Sequence, residues 1–262
     1  MKQPFLWLAL IGWMLLGSGC ATSGSPSTGS NAVRGDLLVA AAGSLQNAFT
    51  ELGTAYEAAH PGQTVTFTFT STGNLASQIE NGAPFDLFAA ADNETVARLA
   101  SEGLILPESV QPYGQGRLVM VVDEGSMLAL GDLSVLQDSR IRHVAIANPA
   151  HAPYGVAAQQ ALERSALWAA LEPKLVIGET VGQAVQFVQS GNAEIALTAL
   201  SVADLPELRW AAVDPTLYEP LDQSVGIVAS SQQQPLAQQF IDFLLSDAGQ
   251  TIMAKYGFAA PP

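Results

Sequence analysis

Four apolar, strand-like runs in this chain each end in a small or hydroxyl-bearing residue, and an amphipathic helix pattern begins at once. They lie at residues 37–45 (LLVAAAGSL), 64–75 (TVTFTFTSTGNL), 144–156 (VAIANPAHAPYGV) and 175–185 (LVIGETVGQAV). At such a junction the first backbone N–H groups of the helix lack intrahelical acceptors and carry the positive end of the helix dipole, an arrangement suited to an anion. No Arg or Lys lies at any of the four. The chemistry on offer is therefore neutral hydrogen-bond donation to a charged ligand. Phosphate keeps a proton near neutral pH and needs an acceptor as well as donors, whereas a fully deprotonated tetrahedral oxyanion needs donors alone.

Each junction alone has a plainer reading. Ser44 and Thr180 are ordinary helix caps, and Gln183 stands at capping-box spacing from Thr180. Thr72-Gly73 is an ordinary turn, and Tyr154 a half-buried aromatic whose hydroxyl finds water. Their recurrence at corresponding points of successive βα units favours a shared ligand. Enzyme chemistry finds little support. Ser44 lacks a G-x-S-x-G elbow, and His60, His143 and His151 show no triad or metal spacing. Asp86 and Asp92 flank a short strand as turn and cap residues, while His151 is a surface loop histidine or a cleft residue. No Walker A or dinucleotide fingerprint is present, and no cofactor is expected.

The elements that position these residues alternate strand and helix, which predicts an α/β fold with largely parallel sheets. Leu45, Ala48, Phe49, Leu52 and Tyr56 give one helix an apolar stripe, and His60-Pro61-Gly62 stops it. Strands are expected at 85–90, 117–122, 144–147, 174–177, 195–198 and 224–229, and helices at 94–102, 155–165 and 182–189, with a closing helix through Leu236, Phe240 and Leu244. Two lobes are the natural division, one over 36–116 plus 225–262 and the other over 117–224. Ligands of open α/β sheets lie at strand carboxyl ends, where all four junctions fall.

Residues 1–20 read as an export signal, with Lys2 near the start, an apolar stretch over 5–16 and small residues leading to Cys20. Residues 16–20 (LGSGC) resemble a bacterial lipobox, which implies lipidation of Cys20 and a membrane anchor. Gly/Ser/Thr-rich residues 21–35 form a tether. Cys20 is the only cysteine, so neither a disulfide framework nor a thiolate metal site is available. Beyond residue 35 the chain holds 8 basic and 24 acidic residues, a formal charge of −16. Nucleic acid and anionic lipid headgroups are excluded as partners of so acidic a domain.

Several motifs together resemble the molybdate-binding proteins of bacterial ABC importers. They are residues 40–45 (AAAGSL), 71–75 (STGNL), 78–88 (QIENGAPFDLF) with Ala91-Asp92, Asn148-Pro149, Pro153-Tyr154-Gly155, Trp168, 173–175 (PKL) and 255–258 (KYGF). The resemblance implies a type II periplasmic binding-protein fold, with two α/β lobes joined by two crossing strands and the ligand cleft between them. It implies capture of molybdate, and of tungstate, by a monomer outside the cytoplasm, with delivery to a membrane permease driven by a cytoplasmic ATPase. Ser44 and Thr72 match the hydroxyl positions, and Tyr154 and Val181 the backbone N–H donors; molybdenum enters only as the oxyanion, with no direct protein ligand. Ala199 departs from the pattern, since some members carry a tyrosine there. Either the Tyr154 side chain replaces that donor or the shell has one fewer. A sulfate-binding or other oxyanion-binding protein, or an oxyanion sensor without transport, is the alternative.

Overall fold

The computed structural model describes residues 35–262. The expected export signal, Cys20 and all but the last residue of the expected tether lie outside them. Among the described residues ten strands form two five-stranded sheets. The first sheet holds β1 (Gly35–Ala42), β2 (Gln63–Thr70), β3 (Leu87–Ala89), β4 (Gln111–Gly116) and β10 (Leu221–Ile227), in the order β2-β1-β3-β10-β4. The second holds β5 (Leu118–Asp123), β6 (Val144–Ala147), β7 (Leu175–Gly178), β8 (Ile195–Ala199) and β9 (Leu208–Ala212), in the order β7-β6-β8-β5-β9. The chain changes sheets between Gly116 and Leu118 and returns between Ala212 and Leu221.

The expectation of largely parallel sheets needs correction. β1 pairs in parallel with β2 and β3, and β6 with β7 and β8, but β10 runs antiparallel to β3 and β4, and β5 antiparallel to β8 and β9. The reason is the double crossing. A strand that arrives from the other lobe has no βα crossover behind it to make it parallel.

Among the described residues nine helices cover these sheets: α1 (Gln46–Ala59), α2 (Thr72–Glu80), α3 (Glu94–Ser101), α4 (Pro153–Arg164), α5 (Trp168–Leu171), α6 (Val181–Gln189), α7 (Leu200–Ala203), α8 (Gln234–Leu245) and α9 (Asp247–Lys255). The stripe read for α1 is buried in full, from Leu45 through Tyr56. Its Phe49 packs on Phe67 of β2 and Phe240 of α8, with ring centroids 5.8 and 6.0 Å apart. The helix ends at His60, and Gly62 follows with φ of +93°, a left-handed turn that an L side chain disfavours. Central strands β5, β6 and β8 are apolar and buried nearly throughout, as strands covered on both faces must be.

Candidate functional site

β1, β2, β6 and β7 each run at their carboxyl end into a helical turn: the 3-10 turn Gly43–Leu45 that leads into α1, then α2, α4 and α6. The four turns converge on one small cleft between the lobes. Ser44, Thr72, Tyr154 and Val181 all line it, together with Gly43, Ser71, Ala91, Thr180 and neighbouring residues. Its cavity volume is about 10 Å³, room for about one water-sized group. That is far below the range of pockets for organic ligands. No Lys or Arg lines it.

Ser44 is 1 % exposed, and its Oγ is the one buried side-chain nitrogen or oxygen among the described residues without a hydrogen-bond partner. The cap reading of Ser44 therefore fails, because neither the 3-10 turn nor α1 receives a side-chain cap. Ser44 lies close enough to the Tyr154 hydroxyl to act on it as a weak hydrogen-bonding neighbour, but nothing meets its Oγ at full hydrogen-bonding geometry. A buried hydroxyl left unpaired costs about 1–3 kcal/mol, so its position calls for an acceptor in the cleft.

Thr72 is equally buried, and its Oγ1 accepts a hydrogen bond from the Ala91 N–H at 3.0 Å. With that lone pair used, its own proton remains to be donated. Tyr154 and Val181 fall in the first turns of α4 and α6, where their N–H groups have no preceding backbone acceptor. Thr180 is a genuine cap, since its Oγ1 accepts from Gln183 N–H at 3.2 Å. Gln183 reaches back to the Glu179 N–H at 2.5 Å, one residue earlier than the capping-box spacing predicts. Thr198 Oγ1 donates to the Val181 carbonyl at 3.0 Å and steadies that turn.

The Tyr154 ring turns toward the sheet crossing, where its hydroxyl accepts from Gln223 Nε2 at 3.2 Å. Burial raises its pKa far above the ordinary phenol range, so it stays protonated. Ala199 is fully buried at the end of β8 and is not among the residues lining the cleft. Asp86 accepts from the Leu38 N–H at 2.9 Å and from Ser231 Oγ at 2.6 Å, and Asp92 accepts from the Thr95 N–H at 2.7 Å. Burial raises the Asp92 pKa. Asp92 serves the turn that opens α3, as its flanking position suggests, whereas Asp86 ties β1 to the Ser231 turn instead of capping its own.

His151 stands at the cleft mouth rather than on a free surface loop. Its carbonyl accepts from the Gly73 N–H at 2.9 Å, its Nδ1 lies 2.8 Å from Ser71 Oγ, and its Nε2 lies 3.2 Å from a Glu179 carboxylate oxygen. A Cβ on Gly73 would sit 2.7 Å from the His151 Cβ, so only glycine admits this approach between lobes. Deeper in, Ser201 Oγ donates to the Ser44 carbonyl at 2.6 Å, and Asn47 Nδ2 to the Ser201 carbonyl at 3.0 Å. Sequence reasoning missed Ser71, Ser201 and Gln223, whose roles arise from partners 80 or more residues away in two cases and 69 in the third. Among the described residues no cluster of His, Cys, Asp or Glu is gathered as a metal site.

The family described as bacterial extracellular solute-binding protein matches residues 37–259. The chain belongs to that family. The molybdate-binding protein ModA of Azotobacter vinelandii is 38 % identical over 208 residues, covering 75 % of this chain and 79 % of that protein. ModA of Rhodobacter capsulatus is 31 % identical over 229 residues, covering 87 % and 89 %. The solved structure of the Azotobacter vinelandii periplasmic molybdate-binding protein shares the fold at a TM-score of 0.80 and 29 % identity, over 86 % of this chain and 100 % of that one. As a solute-binding protein the chain is a binder and not an enzyme, and it works outside the cytoplasmic membrane.

Proposed function

We propose that this solute-binding protein captures molybdate, and tungstate with it, between its two lobes and hands it to the membrane permease of an ABC importer. Ser44 and Thr72 donate through their hydroxyls, and Tyr154 and Val181 through their backbone N–H groups. The observation that carries this reading is the Ser44 hydroxyl, buried and unpartnered in a small cleft lined by no Lys or Arg. Donors without acceptors fit a fully deprotonated dianion and reject a protonated phosphate. Preorganised hydrogen bonds to a charged group contribute roughly 1.5–3 kcal/mol each, enough for several to replace a salt bridge.

The relatives named above are called molybdate-binding proteins, and they support molybdate as the ligand of this chain too. The ion binds the donors of one lobe first, and the other lobe closes on it by a hinge motion that removes the remaining water. The protein acts as a monomer held at the membrane by a lipid on Cys20, with residues 21–35 as the tether. Titration calorimetry of the purified domain with molybdate, tungstate, sulfate and phosphate tests the ligand. Heat from the first two and little from the last two is expected, and sulfate binding as strong as molybdate would defeat the assignment.

A further inference from the structure

Thr72 and Tyr154, on opposite sides of the cleft, are joined by a buried polar chain that runs behind it. Thr72 Oγ1 accepts from the Ala91 N–H at 3.0 Å. One residue earlier, the Ala90 carbonyl accepts from the Tyr113 hydroxyl at 2.7 Å, and that hydroxyl also lies 2.8 Å from Gln223 Oε1. Gln223 Nε2 completes the path by donating to the Tyr154 hydroxyl. Tyr113 and Gln223 are fully buried. In such surroundings a polar network is costly if any member loses its partner, so its geometry is held closely.

The local backbone is shaped for this chain. The β4–β10 register shifts between Gln223 and Ser224, pairing them with Gly114 and Pro112 and leaving Tyr113 as an extra residue without an opposite number. A bulge of this kind re-aims side chains. At the crossing itself, a Cβ on Gly116 would lie 2.0 Å from the Tyr154 hydroxyl oxygen and 2.6 Å from Gln223 Nε2. The Gln223–Tyr154 bond therefore sits where the chain passes from one sheet to the other, and it ties the start of α4 in the second lobe to the strands of the first.

We propose that Gln223 is a positioning residue that fixes the spacing between the two halves of the site, and so the selection of molybdate over the smaller sulfate. This rests on the functional reading above. The tie holds Tyr154, whose N–H faces the ion, at a set distance from Thr72. Released from it, the lobes can close to a shorter spacing, which suits sulfate and no longer fits the larger ion.

The test measures molybdate and sulfate affinities by calorimetry for the wild type, Gln223→Met, Tyr154→Phe and the double variant, with ligand-free thermal midpoints alongside. Molybdate affinity should fall about tenfold in Gln223→Met, as for one lost buried hydrogen bond, while sulfate affinity falls much less or rises. Tyr154→Phe, which removes only the hydroxyl, should lower the molybdate-to-sulfate ratio in the same way, and the double variant should go no further than the singles. Equal losses for both ions, or single effects that add, would overturn the proposal while leaving the ligand assignment standing. Should Gln223→Met fail to fold, Tyr154→Phe alone decides by whether the ratio falls. A wild-type protein that takes up no molybdate overturns the ligand assignment and this inference together.

Discussion

The two lobes equip the same cleft by different means. In the first, side chains are left with protons to give: Ser44 Oγ has no partner, and Thr72 Oγ1 is engaged only as an acceptor. In the second, the hydroxyls are tied into the protein as acceptors, Thr180 Oγ1 from the Gln183 N–H and the Tyr154 hydroxyl from Gln223 Nε2, and the backbone N–H groups that open α4 and α6 add donors that no side chain carries. A backbone donor survives almost any substitution, whereas a hydroxyl donor is lost with one. The contrast teaches that the chemistry of this site is mutable on one side and built into helix geometry on the other.

Ser44→Ala is the sharpest way to probe that contrast. It should weaken molybdate binding by roughly 1.5–3 kcal/mol, the value of a hydrogen bond to a charged group. Because no protein partner is lost, the ligand-free thermal midpoint should stay level or rise slightly. Gly73→Ala should come next, since its Cβ would press on His151 and wedge the lobes apart. Overpacking of this kind costs about 1–3 kcal/mol in the closed form, and calorimetry should show weaker binding with the fold intact.

Thr72 needs a different substitution. Thr72→Val would strip the Ala91 N–H of its acceptor and cost about 1 kcal/mol of stability as well as affinity, so the two losses would be mixed. Thr72→Ser, which keeps the hydroxyl, should leave binding near wild type in the same titration. Thr180→Ala removes a cap and should lower folding stability by about 1 kcal/mol in a denaturant titration. Smallest of all, Val181→Ala should change affinity by less than about 0.5 kcal/mol, as surface-free backbone donors are indifferent to the side chain they carry. A loss at Val181 as large as at Ser44 would break the contrast between the lobes.

Much of the fold was legible because strong local signals agreed with the tertiary outcome. The run at Val144–Ala147 is apolar without interruption and forms β6 with those bounds. The α1 stripe was equally clear, because every member faces one core. Two strands gave no such signal. β4 (QPYGQG) carries Pro and two Gly, residues poor in strands, and is tolerated at the sheet edge; β9 (LRWAA) is also an edge strand, with Arg209 and Trp210 partly exposed. In the site, Ser44 and Thr72 could be seen because a hydroxyl at a strand's carboxyl end is a local feature. Gln223 could not, since a polar residue within a strand acquires meaning only from Tyr113 and Tyr154, which long-range folding brings to it.

The unpartnered Ser44 hydroxyl has a consequence for signalling. Lobes that close without an ion would seal a donor away from both water and acceptor, at about 1–3 kcal/mol, so the ion-free protein is biased toward staying open. The closed outline then announces cargo. A permease that responds to that outline would spend its ATP on loaded carriers and ignore idle ones.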